Sequence, residues 1–225
     1  MANKCFIKRN GQWERLSPMK KVNGQWVRCP VYKKENGVWN RIDQQLVTKT
    51  YSISGYSDWT CCYIGSSSTD STLSKKGTDP LPPRQGKYST YYYFSPMSFK
   101  SLLSRVKGKN IVSARVWMKC DHSYYSTGLK TYISGTTISN TSIPSNINNS
   151  VFNNKRYSSD VHFSKGGSNY INLNSAAISD IKAGNITGFR PVACGGFKLT
   201  DYGYFNESGT TRPWLEIVYT EQVWE

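Results

Sequence analysis

Hydrophobic positions in this chain alternate with polar ones over short runs, and Gly, Ser, Asn and Pro clusters separate the runs. Val112, Ala114, Val116 and Met118 interleave with Ser113, Arg115, Trp117 and Lys119, the period of a strand with one buried face. Similar runs predict strands over residues 51–54, 59–64, 88–94, 110–119, 129–133, 160–163, 170–173, 188–193 and 214–219. Two segments carry the helical period instead. Residues 96–106 place Phe99, Leu102, Leu103 and Val106 on one stripe, and residues 175–183 do so with Ala176, Ala177, Ile178 and Ile181. The polar stretches 65–87 and 135–155 predict long loops or disordered excursions. Many strands and one or two short helices define an all-β fold, and the body over 51–221 is expected to be a β-sandwich.

The first 42 residues follow a different rule. Asn10-Gly11-Gln12-Trp13, Asn23-Gly24-Gln25-Trp26 and Asn36-Gly37-Val38-Trp39 recur with a period of 13. Asn-Gly supplies the two positive-φ positions of a type I′ turn, so each unit predicts a β-hairpin. A linker is expected over 43–50. Ribbons this short bury too little apolar surface to stand alone. Trp13, Trp26 and Trp39 therefore either fill a small local core among solvated lysines or form a ladder. With Lys21 and Lys34 beside it, such a ladder is a docking surface or an oligomerisation seam.

Charge sharpens this division. The 225 residues hold 29 Lys and Arg against 14 Asp and Glu, a net charge of +15, which favours acidic partners such as nucleic acid, an anionic polymer or an acidic protein face. Residues 1–50 alone carry 11 basic and 3 acidic groups. With 37% hydrophobic and 14% aromatic residues the chain is too apolar for disorder. No apolar run nears the roughly 20 residues that cross a bilayer, so no membrane partner is expected. Met1-Ala2-Asn3-Lys4 opens no apolar signal segment, which points to synthesis in the cytoplasm.

Candidate chemistry is sparse. Cys5, Cys29, Cys61, Cys62, Cys120 and Cys194 form no C-x-x-C pair and are read as reduced, buried thiols. His122 follows Asp121, and His162 lies two residues after Asp160, but no nucleophile motif joins either pair. Among Asp58, Asp121, Asp160, Asp201 and Glu207 nothing singles out the two carboxylates of a glycosidase. No catalytic residues are assigned, and the chain is read as a non-enzyme. No cofactor is expected, with structural calcium at Asp58, Asp70, Asp79 or Asp201 left open, since no spaced calcium loop is present. Sugar binding uses flat aromatic platforms with polar neighbours, for which Trp59, Tyr124, Tyr125, Tyr202 and Tyr204 are the candidates.

Two resemblances add to these readings. The N-terminal units resemble the short K-x-N-G-x-W repeats of minor structural proteins of tailed bacteriophages. From Tyr93-Phe94-Ser95-Pro96-Met97-Ser98-Phe99 and Ile111-Val112-Ser113-Ala114-Arg115-Val116 to Arg212-Pro213-Trp214-Leu215-Glu216-Ile217-Val218-Tyr219, the body is similar to DNRLRE-type (disaggregatase-related) β-sandwich domains. The resemblance implies a jelly-roll-like, non-catalytic module located in the virion, carried as a tail, neck, baseplate or capsid appendage. It implies other virion proteins as partners, host cell-wall polysaccharide as a ligand class, and a homotrimer by analogy with phage fibres. The alternatives are a purely architectural decoration protein, a nucleic-acid-binding protein and a cell-wall glycan hydrolase.

Overall fold

The computed structural model describes residues 6–9, 12–15, 19–41, 46–77, 81–138 and 143–224. The chain divides into two compact units, 1–49 with 221–225, and 50–220.

The first unit contains three antiparallel hairpins, formed by β1 (Phe6–Arg9) with β2 (Gln12–Arg15), β3 (Met19–Val22) with β4 (Gln25–Arg28), and β5 (Tyr32–Glu35) with β6 (Val38–Arg41). Asn23 and Gly24 lie at φ 49° and 83°, and Asn36 and Gly37 at 48° and 84°. These consecutive positive values are those of a type I′ turn, whose twist matches that of the flanking strands. Asn10 and Gly11 lie outside the described residues. The register pairs the lysine and tryptophan of every repeat, Lys8 with Trp13, Lys21 with Trp26 and Lys34 with Trp39. Phe6, Met19 and Tyr32 pair likewise with Arg15, Arg28 and Arg41. Of the expected linker, residues 42–45 lie outside the described residues, and 46–49 already belong to β7 (Leu46–Tyr56).

The second unit is an all-β sandwich flanked by a third sheet. The front sheet runs β11 (Arg84–Gln85), β21 (Gly203–Phe205), β15 (Asn110–Ser123), β22 (Trp214–Trp224), β7, with β19 (Ser168–Asn172) also pairing β15, on the edge opposite β21. The back sheet runs β18 (Val161–Phe163), β16 (Leu129–Thr136), β20 (Gly188–Ala193), β14 (Met97–Ser98), β8 (Trp59–Thr60). The third runs β12 (Lys87–Tyr88), β13 (Tyr91–Phe94), β9 (Tyr63–Gly65), β10 (Thr72–Lys75), β17 (Asn146–Asn148). Val116, Met118, Leu215 and Ile217 of the front sheet meet Met97, Ile133, Phe163 and Phe189 of the back sheet in the main core. Helices α1 (Lys100–Ser104) and α2 (Ser175–Ala183) add Leu102, Leu103, Ala177 and Ile181 to it. A satellite core of Tyr63, Leu73, Phe94, Ile147 and Phe152 lies against the third sheet.

Several sequence expectations change in detail. Ala114, Val116 and Met118 point inward as the alternation requires, but a bulge between Ile111 and Ser113 turns Val112 outward, leaving it 57% exposed. The run 59–64 divides between β8 and β9, which belong to different sheets, and 88–94 folds back on itself at Ser89, φ 55°. Segment 96–106 begins as β14, so its helix is only α1. All four stripe residues are nonetheless buried. Helix α2 matches its predicted span, with the Asn174 side chain accepting a hydrogen bond from the Ala177 amide at its start and Gly184 closing it at φ 75°. The polar stretches 65–87 and 135–155 contain β10, β11 and β17, and β10 pairs with β17. Leu73 and Ile147 are the buried residues in those two strands, and one inward side chain per strand leaves no apolar period to read.

Candidate functional site

Residues on the outer side of the front sheet line up by register. In β21, Phe205 enters the core, so alternation turns Tyr204 the other way. Tyr204 lies opposite His122 of β15 on one side and Arg84 of β11 on the other. The His122 and Tyr204 rings stack at 5.0 Å with 15° between planes, and the Arg84 guanidinium lies 5.5 Å from the Tyr204 ring. Arg84 also lies 5.7 Å from the Tyr93 ring, and its Nη1 donates to the Tyr202 hydroxyl at 3.4 Å.

A tyrosine cluster extends from this row. Tyr202 lies 4.9 Å from Tyr88 and 5.3 Å from Tyr93, Tyr88 lies 6.3 Å from Tyr124, and Tyr124 lies 4.9 Å from Tyr125. Two short bonds hold the loops that carry it. The Tyr124 amide donates to the Tyr202 carbonyl at 3.0 Å, and Ser123 Oγ donates to the Tyr125 carbonyl at 2.7 Å. Lys76 Nζ sits 4.5 Å over Tyr91 and donates to the Tyr93 hydroxyl at 3.2 Å. Tyr202 is buried, and burial pushes its pKa up against the opposing influence of Arg84. Tyr88, Tyr91, Tyr124 and Tyr125 remain between 41% and 47% exposed. The cluster thus offers ring faces for stacking on C–H surfaces, with phenol hydroxyls and cationic donors beside them.

Of the sequence-predicted ligand residues, Tyr124, Tyr125, Tyr202 and Tyr204 come together here. Trp59 stands apart, half-buried against the satellite core. Sequence reasoning missed Arg84, Tyr88 and His122 as members, because the strands that bring them together are distant in the chain. It also missed a second aromatic row: Trp117 pairs with Tyr170 on one side and Trp214 on the other, and with Tyr56 and Thr210 they line a recess of about 160 Å³. Alternation carries that signal, since Val116, Ile171 and Leu215 beside them all point into the core.

In the first unit, Trp39 is 63% exposed and Lys34 Nζ lies 5.9 Å from its ring. Tyr32 and Val38 are also exposed, as are Lys21 and Lys34. The side chains of Trp13 and Trp26 lie outside the described residues.

Several of the remaining candidate groups are locally engaged. Asp58 accepts from Ser98 Oγ at 3.1 Å and from the Ser101 amide at 3.0 Å at the start of α1, and Asp70 accepts from the amides of Ser66 and Ser67 in a turn. His162 Nε2 lies 2.7 Å from the Thr127 carbonyl oxygen, and Asp160 is paired with Arg156. Burial pushes the thiols of Cys62 and Cys120 up to about 11, and that of Cys194 up as well, so all three stay protonated at neutral pH. Among the described residues no three His, Cys, Asp or Glu side chains gather where they could hold a metal, and Asp79 lies outside them. No helix among the described residues is long and apolar enough to cross a membrane. Neither the protein-family models nor the curated proteins compared with this chain match it.

Proposed function

We propose that this protein is a non-catalytic virion component of a tailed bacteriophage, in which the hairpin repeats attach to the particle and the β-sandwich is displayed for contact with a host-surface carbohydrate. The observation that carries the reading is the juxtaposition, in one chain, of tandem hairpins with a Lys–Trp pair at identical register and a sandwich presenting an exposed tyrosine cluster. An exposed Trp39, Val38 and Tyr32 on so small a ribbon favours association with a larger body. The surrounding Lys and Arg fit an acidic protein face on that body. Tyrosine rings bearing hydroxyls and flanked by Arg84 and Lys76 fit the C–H faces and hydroxyls of a sugar.

Mass spectrometry of density-purified particles tests the attachment. The protein is expected at fixed stoichiometry, and a W13A/W26A/W39A variant is expected in the unbound fraction. Absence of the wild-type protein from the particles contradicts the reading. The Lys34, Trp39 and Arg41 face also suits nucleic acid. That reading predicts affinity for single strands falling steeply with salt, which particle attachment does not require.

A further inference from the structure

A groove on the other side of β13 holds a buried cation without a partner. Successive residues of β13 serve different surfaces: Tyr93 belongs to the tyrosine cluster, while Tyr92 and Phe94 face the satellite core. In the back sheet, Ile133 and Phe189 enter the main core, so Tyr132 and Arg190 beside them point outward, toward the third sheet. The space between has a volume of about 620 Å³, the size of a small-molecule site. Its walls mix ring faces (Phe94, Tyr132, Phe152) with the polar side chains of Asn149, Ser150 and Asn154, and no carboxylate lines it.

Arg190 sets the chemistry. It is only 8% exposed, its guanidinium lies 4.7 Å from the Phe152 ring and 5.6 Å from that of Phe94, and its Nε is buried without an acceptor. Among the described residues no hydrogen bond or ion pair engages it. Arg156, the other arginine on the groove, sits at the rim 4.5 Å over Tyr132 and is already paired with Asp160. Burial pulls the pKa of Arg190 down to about 10, which still leaves it charged at neutral pH. A guanidinium taken out of water and faced only by rings keeps unsatisfied donors, and an incoming oxyanion satisfies them in a fork geometry that arginine is built to supply.

We infer that this groove binds an oxyanion carried on a saccharide, a carboxylate or a phosphate, with Arg190 as its anchor and the ring and amide walls receiving the sugar. The site is separate from the tyrosine cluster and does not depend on the virion role. It is tested with small molecules on the free, full-length chain, so its failure and the failure of the proposed function are distinguishable.

The test is a titration of the arginine Nε–Hε NMR signals with glucuronate, glucose 1-phosphate, glucose and inorganic phosphate. At least one sugar anion is expected to shift the Arg190 signal saturably, with both glucose and inorganic phosphate binding at least about tenfold more weakly. Which sugar anion binds identifies carboxylate or phosphate. Arg190→Met removes an unpaired buried charge and is expected to stay folded, with affinity for the sugar anion, read in this variant from the Arg156 Nε–Hε signal at the groove rim, about 10- to 100-fold lower. Should that variant fail to fold, Tyr132→Ala leaves the cation in place and is expected to weaken the sugar anion alone. The inference is overturned if neither sugar anion moves the Arg190 signal, if Arg190→Met binds as tightly as wild type, or if inorganic phosphate binds as well as its sugar ester.

Discussion

Asp180 is the counterpart of Arg190, a buried charge with its donors supplied. Lys155 Nζ at 2.6 Å, the Tyr157 hydroxyl at 2.5 Å and Asn185 Nδ2 at 3.0 Å all donate to its carboxylate. Burial alone would raise its pKa, but these donors outweigh burial and hold it at about 2, below the ordinary 3.8. A depressed folded pKa means the stabilisation is fully present above the unfolded value and is lost as pH falls through about 2. Asp180→Asn is therefore expected to cost about 1–3 kcal/mol in urea unfolding at neutral pH. It is also expected to flatten the acid limb of the stability profile below pH 4; an unchanged limb would place the acid sensitivity elsewhere. Val116 and Val112 make a second contrast. Val116→Ala empties buried volume and is expected to cost about 1.5–3 kcal/mol, whereas the exposed Val112→Thr is expected within about 0.5 kcal/mol of wild type, both read by thermal melts. Alternation made Val116 legible from the sequence and failed at Val112, because a bulge inserts a residue without leaving a compositional mark.

The hairpins were the most legible elements, since Asn-Gly dictates the turn and a two-residue loop dictates the register. Gly37 sits at φ 84°, where an added Cβ is strained though nothing obstructs it in space. Gly37→Ala is expected to destabilise that hairpin by about 1 kcal/mol or more. For a ribbon with few contacts that is enough to melt it, visible as loss of ring-current shifts on Lys34 from the facing Trp39. Retained shifts would mean that something beyond the ribbon holds it. Helix α2 was legible for a similar reason, with an Asn174 cap, an apolar stripe and Gly184 all agreeing. The third sheet was not legible. Its strands β10 and β17 are short and polar, and they pair across some 70 residues of sequence, a non-local contact that local periodicity does not encode. The same holds for the Arg190 groove, whose walls come from two sheets and whose anchor reads in the sequence as one more basic residue.

The molecule divides its chemistry between its units. The hairpin unit carries the denser positive charge and the exposed Lys34–Trp39 pair, while the sandwich carries the tyrosine cluster, with Arg84 and Lys76 against its rings, on the side of β13 opposite the Arg190 groove. All-β architecture followed from strand patterning, whereas Tyr124, Tyr125, Tyr202 and Tyr204 were legible only as separate candidates and their meeting is a product of the fold. Their partners Arg84 and His122 required the fold, because β11, β21 and β15 become neighbours only when the front sheet assembles. The most direct measurement is saturation binding of fluorescently labelled full-length protein to a panel of bacterial cells and to purified cell-wall polysaccharide. At about 150 mM salt, exposed charges more than roughly 8 Å apart are largely screened, so nonspecific attraction from the net positive charge is suppressed. The account predicts saturable binding that soluble polysaccharide competes away and that Y124A/Y125A abolishes while the melting temperature is retained. Binding that is absent from every cell and polymer, or that survives this double substitution undiminished, would contradict it.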